Sequence, residues 1–598
     1  MIQDKQGRSM KDMDIIKRLI KYAIPQKKKF ALAVVLAILI VLIDVCLPLL
    51  MGYVIDLLSG RDIPISFLNQ TGEFWPIVVL VILYLLCILV IAFLTYNQTM
   101  TLQRAGQNVM YDVREEVFTH LESLSIEQLN AVPVGKLVTR VTNDTNAIND
   151  LFTRTVINLF KSCATLIFVL VFMFMVNWTL TLYVLAVCPF VITFSIVFRK
   201  FSRKAHREVR GSNSEMNGFL SENIYGMKIT QIFNQEEKKG HEFDEKNKDL
   251  KKCTLRQMYT FAIFRPSIYA LYLVATILVL YFGAKSGMNG GIVTGATVVV
   301  FYQYISKFFD PIQQLADQFN VLQSAFASSE RIFEVLDTKP IIVDKEDAIE
   351  LTDVKGEIEF RNVWFAYNEG EWILKDVSFK VLPRQTVAFV GATGSGKSTI
   401  LNLIVRNYDI QKGDIYIDGI NIKDIKIASL RKSIGQMLQD VFLFSGSIYS
   451  NIVMRDESIT FKDVEEACKY VNANHFIEKL ANKYEEPVRE RGNNFSAGQR
   501  QLLSFARTIV HKPKIMILDE ATANIDTETE VLIQDSLEHM KNIGTMLIVA
   551  HRLSTIQHAD NIILIKHGEI IEQGNHQELL KKKGQYYNLY RLQFKEEI

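Results

Sequence analysis

Val390-Gly391-Ala392-Thr393-Gly394-Ser395-Gly396-Lys397-Ser398-Thr399 carries the spacing G-x-x-x-x-G-K-[ST]. Ahead of it, Thr386-Val387-Ala388-Phe389-Val390 is a short, apolar, β-branched run that reads as a buried strand. After it, Ile400-Leu401-Asn402-Leu403-Ile404 starts a helical pattern. Strand, glycine-rich turn and helix form the setting in which this spacing binds phosphate. The glycines let the backbone curl until successive N–H groups point at the β- and γ-phosphates, and the helix N-terminus adds its positive end. Lys397 reaches the β/γ oxygens, and the Ser398 hydroxyl is placed for Mg²⁺.

The chain around this stretch has 598 residues, more than one compact domain needs. Its 67 Lys+Arg and 65 Asp+Glu leave a net charge of +2, which argues against a nucleic-acid partner. Apolar residues make up 49% of the chain and are concentrated in the first half, while the remainder reads as a soluble α/β domain. The 6 cysteines are scattered, with no C-x-x-C pair, so neither a disulfide framework nor a zinc site is implied.

Six apolar stretches approach the roughly 20 residues needed to cross a bilayer. They lie near 30–58, 74–98, 153–176, 179–198, 258–283 and 291–313, the last interrupted by Gln303, Lys307 and Asp310. Residues 1–29 are basic, and Met13 to Ile24 alternates apolar and basic faces at helical spacing, as a helix lying on a membrane surface would. The 59–73 and 284–290 loops and the Asn177-Trp178 turn carry little charge, whereas 99–152 and 199–257 are long and rich in Lys and Arg. The positive-inside rule then places both long loops and both termini in the cytoplasm, giving a multi-pass protein of the plasma membrane. Helical periodicity in those loops predicts that spans two to five continue as helices into the cytoplasm. Ionisable residues inside apolar runs invite a functional reading. Asp44 lies deepest by sequence, either lining a polar or cation-accepting cavity, pairing with Lys161 or Arg265, or sitting near an interface. Phe301, Tyr302, Tyr304, Phe308 and Phe309 read as helix packing.

The character changes after Asp337, where Thr338-Lys339-Pro340 stops a helix. The expected organisation is an interfacial segment at 1–29, a membrane domain at 30–337, a charged linker at 338–356 and an α/β domain at 357–598. Within the last, Lys514 to Glu520 is an apolar run ending in two acids, and Leu547-Ile548-Val549-Ala550-His551 is another strand with a histidine at its end. Ligands of open α/β sheets bind at the carboxyl edge of the strands. There Asp519 would hold Mg²⁺, Glu520 would polarise an attacking water, and His551 would contact the γ-phosphate.

Phe495-Ser496-Ala497-Gly498-Gln499-Arg500-Gln501 resembles the signature of the ATP-binding-cassette ATPases. With six apolar spans ahead of one cassette, almost the whole chain resembles a half-transporter of the ABC exporter superfamily, of the multidrug or lipid type. The resemblance implies a helical membrane domain followed by an α/β P-loop NTPase, with ATP and Mg²⁺ as ligands. It makes Tyr367 the aromatic that stacks on adenine and residues Gly391, Thr393, Gly394, Ser395, Gly396, Lys397, Ser398 and Thr399 the Walker A loop. Gln439 becomes the Q-loop residue at the metal, Asp519 and Glu520 the Walker B pair, Asp526 the D-loop acid and His551 the switch histidine. Ser496, Ala497, Gly498, Gln499 and Asp526 would face a partner cassette. Short coupling helices are implied near Ile126–Val134 and Glu222–Lys228.

The signature departs from Leu-Ser-Gly-Gly-Gln at Phe495 and Ala497. Because a signature in this family faces ATP on the opposite cassette, the extra methyl at 497 points to one half of a heterodimer whose partner supplies an unaltered signature. A homodimer that tolerates alanine is the alternative. The resemblance implies ATP-driven export of amphipathic drugs or lipids through the lipid membrane. A lipid- or peptide-specific flippase and an ATP-gated channel or regulatory subunit are the competing readings.

Overall fold

The computed structural model describes residues 12–61, 64, 74–288, 293–438, 440–454, 456–519, 527–541, 543–549 and 556–593. The chain forms two compact units, one holding residues 121–134 and 339–598, the other the remaining described residues up to Thr338.

The larger helices build the second unit. After α1 (Asp12–Ala23) come α2 (Lys27–Leu58) and α3 (Phe74–Ser123). A helical run with two π-turns leads into α5 (Val156–Val176), followed by α6 (Trp178–Tyr225), α8 (Glu236–Met288) and α9 (Gly295–Asp337). Two short helices, α4 (Ile126–Asn130) and α7 (Met227–Ile232), interrupt the sequence where the long ones turn back. The second was expected near Glu222–Lys228. It starts later because α6 runs unbroken to Tyr225 and Gly226 caps it. α3, α6 and α8 have 50, 48 and 53 residues. At 1.5 Å per residue that is about 75 Å, against a hydrocarbon core of about 30 Å, so each continues far beyond a bilayer.

Among the described residues five helical stretches are long and apolar enough to cross a membrane. α9 is not among them, in keeping with the Gln303, Lys307 and Asp310 interruptions. It is nevertheless packed inside the bundle: Phe301, Tyr304, Phe308 and Phe309 are buried in one apolar cluster with residues of α2, α5, α6 and α8, and only Tyr302 of that group is exposed. Several polar groups in this unit are paired. Asp44 accepts from Lys307 Nζ at 2.6 Å, a partner not anticipated from the sequence, while the side chain of Arg265 lies outside the described residues. Buried Asp144 is bound by Arg331 through two guanidinium nitrogens, Nε lying at 3.0 Å. The Tyr304 hydroxyl donates to the Val45 carbonyl at 2.9 Å.

The first unit contains β1 (Ile358–Ala366), β2 (Trp372–Val381), β3 (Thr386–Val390), β4 (Lys412–Ile417), β5 (Ile420–Asn421), β6 (Ile434–Met437), β7 (Gly446–Ser447), β8 (Pro487–Val488), β9 (Ile515–Asp519), β10 (Thr545–Val549), β11 (Asn561–Lys566) and β12 (Glu569–Gly574). β2-β1-β4-β5 form an antiparallel sheet, and β12-β11-β3-β10-β9-β6 a second sheet that is parallel except at β12. Alternate residues of the parallel strands enter two cores. Val387, Phe389, Ile515, Ile517, Leu547 and Val549 face one with the antiparallel sheet and residues 400–404. Ala388, Val390, Met516, Leu518, Met546 and Ile548 face the other with residues 502–510. A sheet covered on both faces explains why these strands read as continuous apolar runs rather than alternating ones.

Residues 338–356, expected as a linker, have little regular structure yet are fastened along this unit. Gln128 donates to the Lys339 carbonyl, Arg406 to the Val343 carbonyl, Asp344 accepts from Ile427 N and Asp418 accepts from the backbone of Lys355, Gly356 and Glu357. Arg406 is 4% exposed and also reaches the Ile422 and Ile425 carbonyls. Replacing it with alanine removes a charged donor from several buried carbonyls, so Arg406→Ala should lower the stability of this unit by about 2 kcal/mol or more. Limited proteolysis of the full chain should then show earlier cleavage between 339 and 356 than in the parent.

Candidate functional site

The ends of β3, β10 and β9 are level: Val549 pairs with Phe389 on one side and Asp519 on the other. At this edge the chain leaves β3 into the phosphate loop and enters α10 (Lys397–Ile404). Two glycines are dictated by geometry. Gly391, at φ +154°, passes so close to β11 that a Cβ would sit 2.2 Å from the Ile565 carbonyl. Gly396 caps α10 at φ +104°, where a Cβ would meet Leu374 at 2.7 Å. Side chains are therefore excluded at these two positions.

Lys397 is 6% exposed, and its ammonium donates to the Gly391 and Ala392 carbonyls at 2.8 and 3.0 Å. Burial pushes its pKa down, partly countered by Asp519. The carboxylate at the end of β9 thus stands near the lysine of the loop. Ser398 is exposed at the start of α10. Ser395 Oγ is buried with no hydrogen-bond partner among the described residues, inside a loop otherwise rich in backbone donors. A buried hydroxyl is costly unless it is bonded, and a phosphate oxygen would satisfy it. Thr399 is 6% exposed and its hydroxyl pairs with the Tyr367 hydroxyl at 3.1 Å. Tyr367, at the end of β1, is 44% exposed, leaving ring area for a stacking partner.

The other constellation is a helix start. Ser496 caps α11 (Ala497–Val510): its Oγ accepts from Gln499 N at 3.2 Å while Gln499 Oε1 accepts from Ser496 N at 2.9 Å. Phe495 is buried beside Phe476, so the larger side chain is absorbed by the core. Ala497 is the first helical residue, where alanine is a better helix former than glycine. Gln439, Glu520, Asp526 and His551, the remaining site residues expected from sequence, lie outside the described residues. The structure adds two residues that no motif marked, Tyr408 against Tyr367 and Lys307 on Asp44. Lys307 was visible only as a charge in an apolar run, and Tyr408 gave no sequence signal.

Ser395→Ala removes a buried hydroxyl that has no protein partner. Stability should hold within about 1 kcal/mol, while ATP affinity falls several-fold, as read by thermal unfolding and equilibrium binding on the same preparation.

Comparison with known proteins matches both halves of the chain. A family model for the ABC transporter transmembrane region matches residues 30–312, and one described as ABC transporter matches 374–523. The chain is 39% identical to a probable multidrug resistance ABC transporter ATP-binding/permease protein, YheH, of Bacillus subtilis, over 87% of this chain and 77% of that protein. It is 38% identical to a putative ABC transporter ATP-binding protein, exp8, of Streptococcus pneumoniae, over 97% of each. It is 32% identical to an ATP-dependent lipid A-core flippase of Syntrophus aciditrophicus, over 98% of this chain and 95% of that protein. A multi-pass membrane unit and a phosphate-loop ATPase unit fused in one polypeptide thus place this chain in the ABC transporter family, as an ATP-hydrolysing half-transporter of the exporter type.

Proposed function

We propose that the chain uses ATP to export amphipathic substrates, drugs or lipids, across the plasma membrane, working with a second half-transporter. The observation that carries this reading is a single phosphate loop and a single signature helix on one cassette, fused to a bundle of long apolar helices. One cassette provides Lys397 and the loop amides for its own nucleotide, and Ser496 and Gly498 at a helix N-terminus for a nucleotide on the partner. The positive helix end suits a phosphate there. The names of the relatives, multidrug resistance protein and lipid A-core flippase, support amphipathic cargo.

In this reading two cassettes close on two ATP molecules, and closure is transmitted through α4 and α7 to turn the membrane cavity outward. ATP drives the change through its higher affinity for the closed state. Loss of the γ-phosphate contacts of Lys397, His551 and the partner's signature reopens the dimer. Catalysis is mainly positioning and charge stabilisation. Ser398, Asp519 and Gln439 would hold Mg²⁺, which neutralises phosphate charge, and Glu520 would orient the attacking water. Tyr367 would stack on adenine, and Asp526 would face the partner. Asp44, paired with Lys307 and with 39% of its side chain exposed, would mark a polar spot on the substrate path. The basic long loops favour cytoplasmic termini.

Ala497 favours a heterodimer, since its methyl would crowd a γ-phosphate on the facing cassette. The intact complex, extracted gently from native membrane, should contain a second polypeptide of similar size with an unaltered signature. A species of twice 68.5 kDa made of this chain alone would overturn the heterodimer and make the homodimeric reading the working one. Glu520→Gln should retain ATP binding and lower turnover at its own site by about 10²-fold or more. Parent-like hydrolysis in that complex, measured as phosphate release, would remove Glu520 from its assigned role.

A further inference from the structure

Tyr408 lies in the turn between α10 and β4, outside every phosphate-binding motif, yet it connects the nucleotide side of the cassette to α4. Its ring meets Tyr367 edge-to-face, with centroids 5.1 Å apart and planes at 84°. Phe365 closes the triangle, 4.9 Å from Tyr367 and 5.8 Å from Tyr408, again at steep angles. Rings packed edge-on fix one another's planes, because the positive rim of one sits on the negative face of the next. The Tyr367 hydroxyl is meanwhile pinned to Thr399 at 3.1 Å. Three residues beyond Tyr408, Gln411 grips the strand end that carries Tyr367. Its amide donates to the Ala366 carbonyl at 2.9 Å and its Oε1 accepts from Ala366 N at 3.0 Å. The 408–411 turn thus controls both the backbone and the ring of Tyr367.

On its other side, Tyr408 is held by α4. Asn130 Nδ2 donates to the Tyr408 hydroxyl at 3.4 Å. α4 is itself rigidly seated: buried Gln128 closes a capping box with Ser125, donates to the Lys339 carbonyl at 2.9 Å and accepts from Ile341 N at 3.3 Å. A displacement of α4 therefore changes what holds Tyr408, and through it the plane of Tyr367.

We propose that Tyr408 is a positioning residue that couples the purine of bound ATP to α4, holding Tyr367 in its stacking orientation while taking its own anchor from Asn130. The proposal rests on the reading of Tyr367 as the adenine-stacking residue. Coupling of this kind is reciprocal: whatever purine binding does to α4, a change at α4 does to purine binding, by the same factor. It also acts on the part of the affinity that comes from the base, because the phosphates are held by the Gly391–Gly396 turn and Lys397 rather than by Tyr367 or Tyr408.

The test compares ATP with inorganic tripolyphosphate, which carries phosphates and no base, as ligands of the full chain in lipid nanodiscs with its co-purified partner. Mg²⁺ is omitted so that binding is read without turnover. Asn130→Ala and Tyr408→Phe should each weaken ATP by about 3- to 10-fold, the range of one aromatic or hydrogen-bond contact, and leave tripolyphosphate within about twofold. The double variant should be no weaker than either single one, since both cut the same link. Unchanged ATP affinity, equal weakening of both ligands, or additive losses would each overturn the proposal. Tyr367→Ala separates the two claims. If it leaves the preference for ATP over tripolyphosphate intact, the stacking reading itself fails. If it removes that preference while Asn130→Ala and Tyr408→Phe do not, only the coupling fails.

Discussion

The cassette depends on one constraint, the passage of the chain from β3 into α10, which leaves no room for a side chain at Gly391 or Gly396. β3 is buried on both faces, so the turn that leaves it must double back between β11 and Leu374, where a Cβ at Gly391 or Gly396 would strike atoms well inside contact distance. That narrow passage starts α10 at Lys397, which brings the positive end of the helix dipole to the loop. The level ends of β9 and β10 follow from parallel pairing with β3, and they bring Asp519 near Lys397. Site and sheet are one solution to the same packing problem.

The membrane unit obeys a different rule. In lipid every backbone group must be bonded within the segment, so long helices are the available form, and exposed apolar surface carries no penalty. α3 shows this most clearly, its most apolar stretch being almost wholly exposed. α9 shows the converse: it is less apolar than its neighbours but is packed against four of them, and Lys307 is neutralised by Asp44. An ion pair is far less costly at that depth than either charge alone, and so a helix with polar interruptions keeps its place in the bundle.

Much of this was legible in the sequence because the signals were local. The spans appeared as apolar length, the phosphate loop as glycine spacing, and the strands as β-branched runs buried on two sides. Other features carry no local signal, for physical reasons. The partner of Asp44 is 263 residues away, and a lone charge in an apolar run does not say which opposite charge it meets. Residues 338–356 look like a linker because they lack periodicity. Their order comes from side chains such as Arg406 and Asp418 that bond to their backbone from elsewhere in the unit.

The sequence by itself determined the class of the protein, through motifs whose chemistry is written within a few consecutive residues: the phosphate loop, the signature with its alanine, the acid-ended strand and the apolar spans. Only the tertiary structure decided which residues stand behind the site. Tyr408 touches Tyr367, Gln411 clamps Ala366 and Asn130 reaches the cassette because strands and turns distant in the chain meet at one corner of the fold. Contacts of that kind are set by packing, and packing is a property of the folded chain rather than of any stretch of it.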